Sequence, residues 1–192
     1  MSNSLTQRDP HALGTDVDLR AALADLAGSG HRRVGPDQPV QRTFEPAQIS
    51  ERWRARWGTR GQQLLGPVYE GGLLRPADGA NRLAFAHTLL QAALAAGDWL
   101  STGRFARQTD WLEHLDPVKG QPPWADVIVC AAARLGREDR LDALEQLLRR
   151  LWASEEGDDR ESHRLLAGRC LAELDEPTRK RLERIGIGAR LR

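Results

Sequence analysis

Apolar positions recur along most of this chain at spacings of three and four, the pattern that sets side chains on one face of a helix. From Pro46 onward, Ile49, Trp53 and Trp57 follow at that spacing and Gly58 stops the run. A second short helix is predicted over Arg60 to Tyr69, bent near Gly66-Pro67 because proline removes a backbone donor. Ala86 to Leu100 carries Leu89, Leu90, Ala93, Leu94 and Ala96 with few charges, which predicts a helix buried over most of its circumference. Gln108 to Leu115 places Trp111, Leu112 and Leu115 on one side and is closed by Asp116-Pro117. Pro122-Pro123 opens a helix through Leu135, with Gly136 suited to its C-cap. Arg137 to Trp152 aligns Leu141, Leu144, Leu148, Leu151 and Trp152, and helices over about Arg160 to Leu174 and Thr178 to Ile185 complete the pattern.

Two stretches depart from helical spacing. Gly72–Arg75 and Arg82–Phe85 flank Asp78-Gly79, a turn signal because glycine supplies positive φ at no steric cost, so a β-hairpin is expected there. Residues 1–46 are rich in Gly, Pro, Asp, Gln and Ser. Their one candidate helix is Asp18 to Leu26, where Leu19, Leu23 and Leu26 share a face. Gly28-Ser29-Gly30 and Gly35-Pro36-Asp37-Gln38-Pro39 bring little apolar surface to offset their ordering entropy, so a mobile tail with a short docking helix is the expectation.

Composition narrows the class. A length of 192 residues holds one ordinary domain or two small ones, and 40% hydrophobic content suffices for a core. Aromatic residues are only 5% of the chain, yet six are Trp, which in an Ala/Leu/Arg-rich chain fill gaps between helices. The 28 basic and 27 acidic residues leave a net charge of +1, which gives no global drive toward nucleic acid or anionic membrane. Met1 to Pro10 lack the apolar run of a signal peptide, and no stretch approaches the roughly 18 apolar residues of a membrane span, so the cytoplasm is the expected compartment. Cys130 and Cys170 stand in apolar helical patterns without a second Cys or His at metal-ligand spacing, and read as small buried residues.

The stretch from Gly71-Gly72-Leu73-Leu74 through Phe85-Ala86-His87 to Ala95-Ala96 resembles the winged-helix part of NACHT-type STAND NTPases, where a "GLL…dg…FAH" pattern leads into a helix ending in Ala-Ala. Helix, helix, then hairpin is the element order of a winged helix. The helix from Pro122-Pro123-Trp124-Ala125-Asp126 and the segment Leu165-Leu166-Ala167-Gly168-Arg169-Cys170 also occur in order in these proteins, so the resemblance spans about residues 47–175. The chain departs from the family at Leu90 and Ala93, where aromatics are usual, and at Ala92, where an acid is. The expected fold is mainly α. A segment of residues 1–46 precedes a winged-helix-like unit with one small β-hairpin over 47–104, and a short HEAT-like α-helical array fills 105–192. The antiparallel-looking helix pairs joined by Gly- or Asp-containing turns suggest that array.

The chemistry-bearing motifs of an enzyme are missing. No G-x-x-x-x-G-K-[ST] loop occurs to cradle phosphates, and no apolar strand ends in paired acids for Mg²⁺. His11, His31, His114 and His163 are scattered outside any zinc-protease pattern, and no serine sits in a G-x-S-x-G turn. Glu155-Glu156, Asp158-Asp159 and Glu161 read as a solvated face, lacking the Gly spacing and terminal Glu of a calcium loop. No catalytic residue, metal or cofactor is therefore expected.

The resemblance implies a role for His87, whose family counterpart contacts nucleotide phosphate in the closed state; here the nucleotide would belong to a separately encoded NTPase, in trans. The plainer reading makes His87 a helix N-terminal residue satisfied by backbone or water. The leading expectation is a non-enzymatic regulatory or scaffold module, acting through a protein partner in a bacterial defence or signalling assembly. Alternatives are a folded remnant of a truncated STAND gene, or a winged-helix DNA-binding regulator. For the latter, Arg52, Arg56 and Arg60 on the first helices and Arg179, Lys180 and Arg181 near the C-terminus are the candidate contacts.

Overall fold

A computed structural model describes residues 10–32, 40–77, 81–101, 115–153 and 159–184. The chain is mainly helical with a small three-stranded antiparallel sheet. Helix α1 spans Pro10–Arg32, strand β1 Thr43–Phe44, α2 Pro46–Trp57, α3 Thr59–Gln63 and α4 Leu65–Glu70. Strands β2 (Leu74–Pro76) and β3 (Leu83–Phe85) follow, then α5 (Thr88–Ser101), α6 (Pro122–Arg137), α7 (Leu141–Trp152), α8 (Asp159–Ala172) and α9 (Glu176–Arg184).

The N-terminal helix is longer than its sequence suggests. In place of nine residues from Asp18 to Leu26, α1 runs Pro10–Arg32 and packs along α5 as the most extensive helix pair among the described residues. Ala22, Leu23, Leu26 and Ala27 are buried at the spacing of one helix face. Gly30 extends the helix for a tertiary reason. A Cβ there would lie 2.6 Å from the carbonyl oxygen of Gln41, so only glycine lets the chain entering the sheet cross the end of α1. The backbone N–H of Gln41 donates to the carbonyl of Gly30 at 3.2 Å. Two residues later begins β1, a strand that the sequence pattern did not disclose because two residues cannot display an alternation. The boundary expected after residue 46 falls one residue inside α2, and β1 before it is held in the same sheet as the later hairpin. Residues 33–39, including Gly35-Pro36-Asp37-Gln38-Pro39, lie outside the described residues.

β3 is the central strand, giving the order β1-β3-β2. Thr43 pairs with Ala84 and Phe44 with Leu83 on one side; Leu74 pairs with Phe85 and Pro76 with Leu83 on the other. Pro76 is tolerated because β2 is an edge. Phe44 and Phe85 meet edge-to-face at 6.1 Å between ring centroids. The hairpin is as expected, although Asp78-Gly79 lie outside the described residues; Ala77 N–H donates to Arg82 O at 2.9 Å on the near side of that turn.

The predicted Arg60–Tyr69 helix is two, separated at Leu64 rather than bent at Gly66-Pro67. Pro67 falls in the first turn of α4, where its missing N–H costs nothing. Gly58 ends α2 with φ 65°, as the sequence suggested.

In the C-terminal half, α6 is the hub, packing against α5, α7 and α8. Its Val127, Ile128, Ala131 and Leu135 join Ala143, Leu144, Leu147, Leu148 and Leu151 of α7 in the core. Gly136 is not its C-cap. The helix passes through Gly136 to Arg137, and the left-handed residue is Asp139, φ 57°. A Cβ at Gly136 would come within 3.1 Å of Leu174 and 3.2 Å of Thr178, so this glycine serves the approach of the α8–α9 turn. The expected helix Gln108 to Leu115 lies outside the described residues except Leu115, which is fully buried at the start of a turn.

Candidate functional site

The arginines at 52 and 56 are one turn apart on α2, and α1 supplies their partner. Arg52 donates through Nε to Asp25 Oδ2 at 2.5 Å and through Nη2 to Oδ1 at 2.9 Å, while Arg56 Nη1 donates to Oδ1 at 2.5 Å. Asp25 is buried, its side chain only 4% exposed, and these donors help hold its charge. The Arg56 guanidinium also lies over the Trp57 ring at 4.9 Å. Arg60 is exposed on α3.

Other candidate cations are dispersed. Arg179, Lys180 and Arg181 are exposed on α9; Lys180 pairs with Glu176 at 2.5 Å and Arg181 with Asp139. Helix α9 packs on α7, whereas α2 packs on α3 and α4, so the two groups belong to different parts of the fold. The sequence of α4 is LGPVYE, with Pro67, Tyr69 and Glu70 exposed and no basic residue. Arg190 and Arg192 lie outside the described residues, as do Glu155, Glu156 and Asp158 of the acidic stretch.

His87 is exposed and immediately precedes α5, its carbonyl accepting the Gln91 N–H at 3.2 Å. The neighbouring polar residue of the same motif has a structural duty. Gln91 is buried and donates from Nε2 to Gln41 O at 2.9 Å, fastening α5 to the segment that crosses α1.

A cleft of about 730 Å³ opens between α5 and α6, closed at one end by the α8–α9 turn. Its floor is apolar, from Leu90, Ala93 and Leu94 of α5 and Val129 and Ala133 of α6. Its rim carries both signs of charge, with Arg20 and Arg137 against Glu173 and Asp175. Arg134 is held beside Glu138 at 2.6 Å, and its Nη1 lies 2.5 Å from where a Cβ on Gly97 would stand. Leu89, 62% exposed, continues the apolar surface of α5 toward His87. Sequence reading missed this cleft, having assigned nearly the whole surface of α5 to the core; the small residues Ala93, Ala133 and Gly136 were the available signal.

Cys130 forms part of the cleft wall, and burial pushes its thiol up, reinforced by Asp126 and Glu173 and opposed by Arg137. Cys170 is buried behind it with its thiol pushed up to about 12 by the same desolvation. Both are free cysteines in their thiol form at neutral pH, unsuited to nucleophilic work. Among the described residues no three His, Cys, Asp or Glu side chains converge as a metal site, and no helix is long and apolar enough to cross a membrane.

One histidine that sequence did not single out is deeply placed. His31 is 5% exposed at the end of α1 and lies edge-on to Trp124 of α6 at 5.5 Å; Trp124 in turn meets Trp99 of α5 at 6.0 Å. Burial holds the imidazole down at about 4, with Arg42 acting in the same direction and Asp126 against it. It is a neutral ring packed between α1 and α6.

The chain matches no protein-family model, no curated protein and no solved structure.

Proposed function

We propose that this protein is a non-enzymatic regulatory or scaffold module that receives an amphipathic helix of a protein partner in the α5–α6 cleft. The observation that carries the reading is the cleft itself. A partner helix would lay its i, i+3, i+4 and i+7 anchors on Leu90, Ala93, Leu94 and Val129 and meet the mixed-charge rim with flanks of both signs. Such a site takes its energy from apolar area and its register from Arg20, Arg137, Glu173 and Asp175.

The order α1–β1–α2–α3–α4–β2–β3, with β3 central, supports the winged-helix resemblance to the region that follows the NTPase domain in STAND proteins. On that reading the partner is a separately encoded NTPase or effector, and exposed His87 at the start of α5 is available for a phosphate. The DNA-binding alternative draws less support. A winged helix sets its second helix in the major groove, and here that position holds α3 and α4, whose single basic residue is Arg60.

The test is affinity purification of the tagged chain from its native host after nuclease treatment, with and without ADP, beside Ala93→Arg. Ala93 is exposed, so the arginine leaves thermal unfolding unchanged while obstructing the floor. Stoichiometric recovery of an NTPase or effector subunit by the wild type, lost with Ala93→Arg, is the expected result. Equal recovery by both proteins removes the cleft from the interface, and a partner-free monomer in every condition leaves the remnant reading in possession.

A further inference from the structure

We infer that Arg52 and Arg56 form a pre-organised binding site for one anionic side chain, carboxylate or phosphoryl, of a protein partner. The charge is the first ground. Two guanidiniums share the single carboxylate of Asp25, so the trio keeps one net positive charge. Position is the second. The Asp25 side chain is 4% exposed while those of Arg52 and Arg56 are 35% and 50% exposed, so the acid neutralises from the interior and the cations meet solvent.

Geometry is the third. Arg52 spends its Nε and Nη2 on Asp25, but Arg56 spends Nη1 alone, and among the described residues its Nε and Nη2 have no hydrogen-bonded partner. That remaining edge is the fork from which a carboxylate or phosphate accepts two parallel N–H bonds. Because Trp57 and Asp25 already hold the side chain, little further ordering entropy is lost on binding. A single group fits better than a nucleic-acid strand. Phosphates recur along a backbone and need an uninterrupted track of cations, whereas around this pair the exposed Arg54 and Arg60 are interspersed with exposed Glu51, Tyr69 and Glu70. This site is separate from the cleft and does not depend on it.

The experiment follows the arginine Nε–H signals of the full chain by NMR during titration with inorganic phosphate. Parallel titrations use a short glutamate-containing peptide, the same peptide with phosphoserine in place of glutamate, and duplex DNA. Saturable shifts at Arg52 and Arg56 with phosphate and with at least one peptide are expected, and the two peptides separate a carboxylate from a phosphoryl source. Arg56→Gln weakens binding about tenfold, the loss of one charge-assisted contact. It leaves the Arg52–Asp25 pair in place, so unfolding is cooperative as in wild type; Arg56→Lys, which keeps the charge and loses the fork, falls between. Linear shifts shared by Arg75 and Arg179 overturn the proposal, as does saturable binding of DNA without either peptide. Because the wild-type titration reads the site directly, the conclusion does not depend on any variant folding.

Discussion

The buried histidine gives the sharpest quantitative test of the packing. An imidazole in the unfolded chain titrates near 6.5, while His31 in the fold titrates at about 4 because protonation would charge a ring enclosed by Trp124 and its neighbours. The unfolded state therefore binds a proton more readily than the native state, and stability falls as pH drops through the window between 6.5 and 4. At 1.36 kcal/mol per pH unit the full loss is about 3 kcal/mol below pH 4, and about 2 kcal/mol is already gone at pH 5. Other groups titrate over the same range, so the measurement is a comparison. Wild type and His31→Phe, which keeps an aromatic ring against Trp124, are unfolded in urea at pH 7 and pH 5. Wild type is expected to lose about 2 kcal/mol more than the variant between the two. Equal pH dependence would refute the burial of a neutral imidazole at this position. A slope of opposite sign would mean that an acid, Asp126 for instance, pairs with the ring and holds it protonated.

Two substitutions test the framework around the site. Gly30→Ala drives a methyl to 2.6 Å from the Gln41 carbonyl, where backbone must move, and is expected to destabilise by about 1–3 kcal/mol despite alanine's better helix propensity; thermal unfolding reads this, and a stabilised variant would show that α1 ends before the crossing. Leu148→Ala removes a fully buried side chain from the α6–α7 core and is expected to cost 2–5 kcal/mol by denaturant titration, roughly the cavity cost for a buried leucine.

How far the fold could be read in advance differs from element to element. Helix α7 was legible because Leu144, Leu148 and Leu151 repeat at helical spacing and do become its buried face. α2 ended where Gly58 said it would. Helix α1 was under-read, since glycine at 28 and 30 is a poor local helix former, and the residues that keep it helical belong to α5 and to the Gln41 crossing. Gly136 carries the local mark of a cap yet lies inside α6, facing Leu174 and Thr178. Glycine's local uses are strong signals, while its use for close approach leaves no mark on neighbouring residues.

The candidate sites divide along the same line. His87 and the arginines at 52, 56 and 60 could be named from sequence, as could the absence of a phosphate-cradling loop. That Asp25, 27 and 31 residues away, draws Arg52 and Arg56 together was outside any local pattern. So were the burial of His31 against Trp124 and the cleft floored by Ala93 and Ala133. Sequence by itself determined the helices around α2, α5, α6 and α7, where the hairpin lies and which catalytic motifs are missing, because those depend on neighbours within a turn or two. Only the tertiary structure decided which charges meet, which ring loses its water and which helix faces stay uncovered, because those outcomes depend on residues brought together from separate elements of the chain.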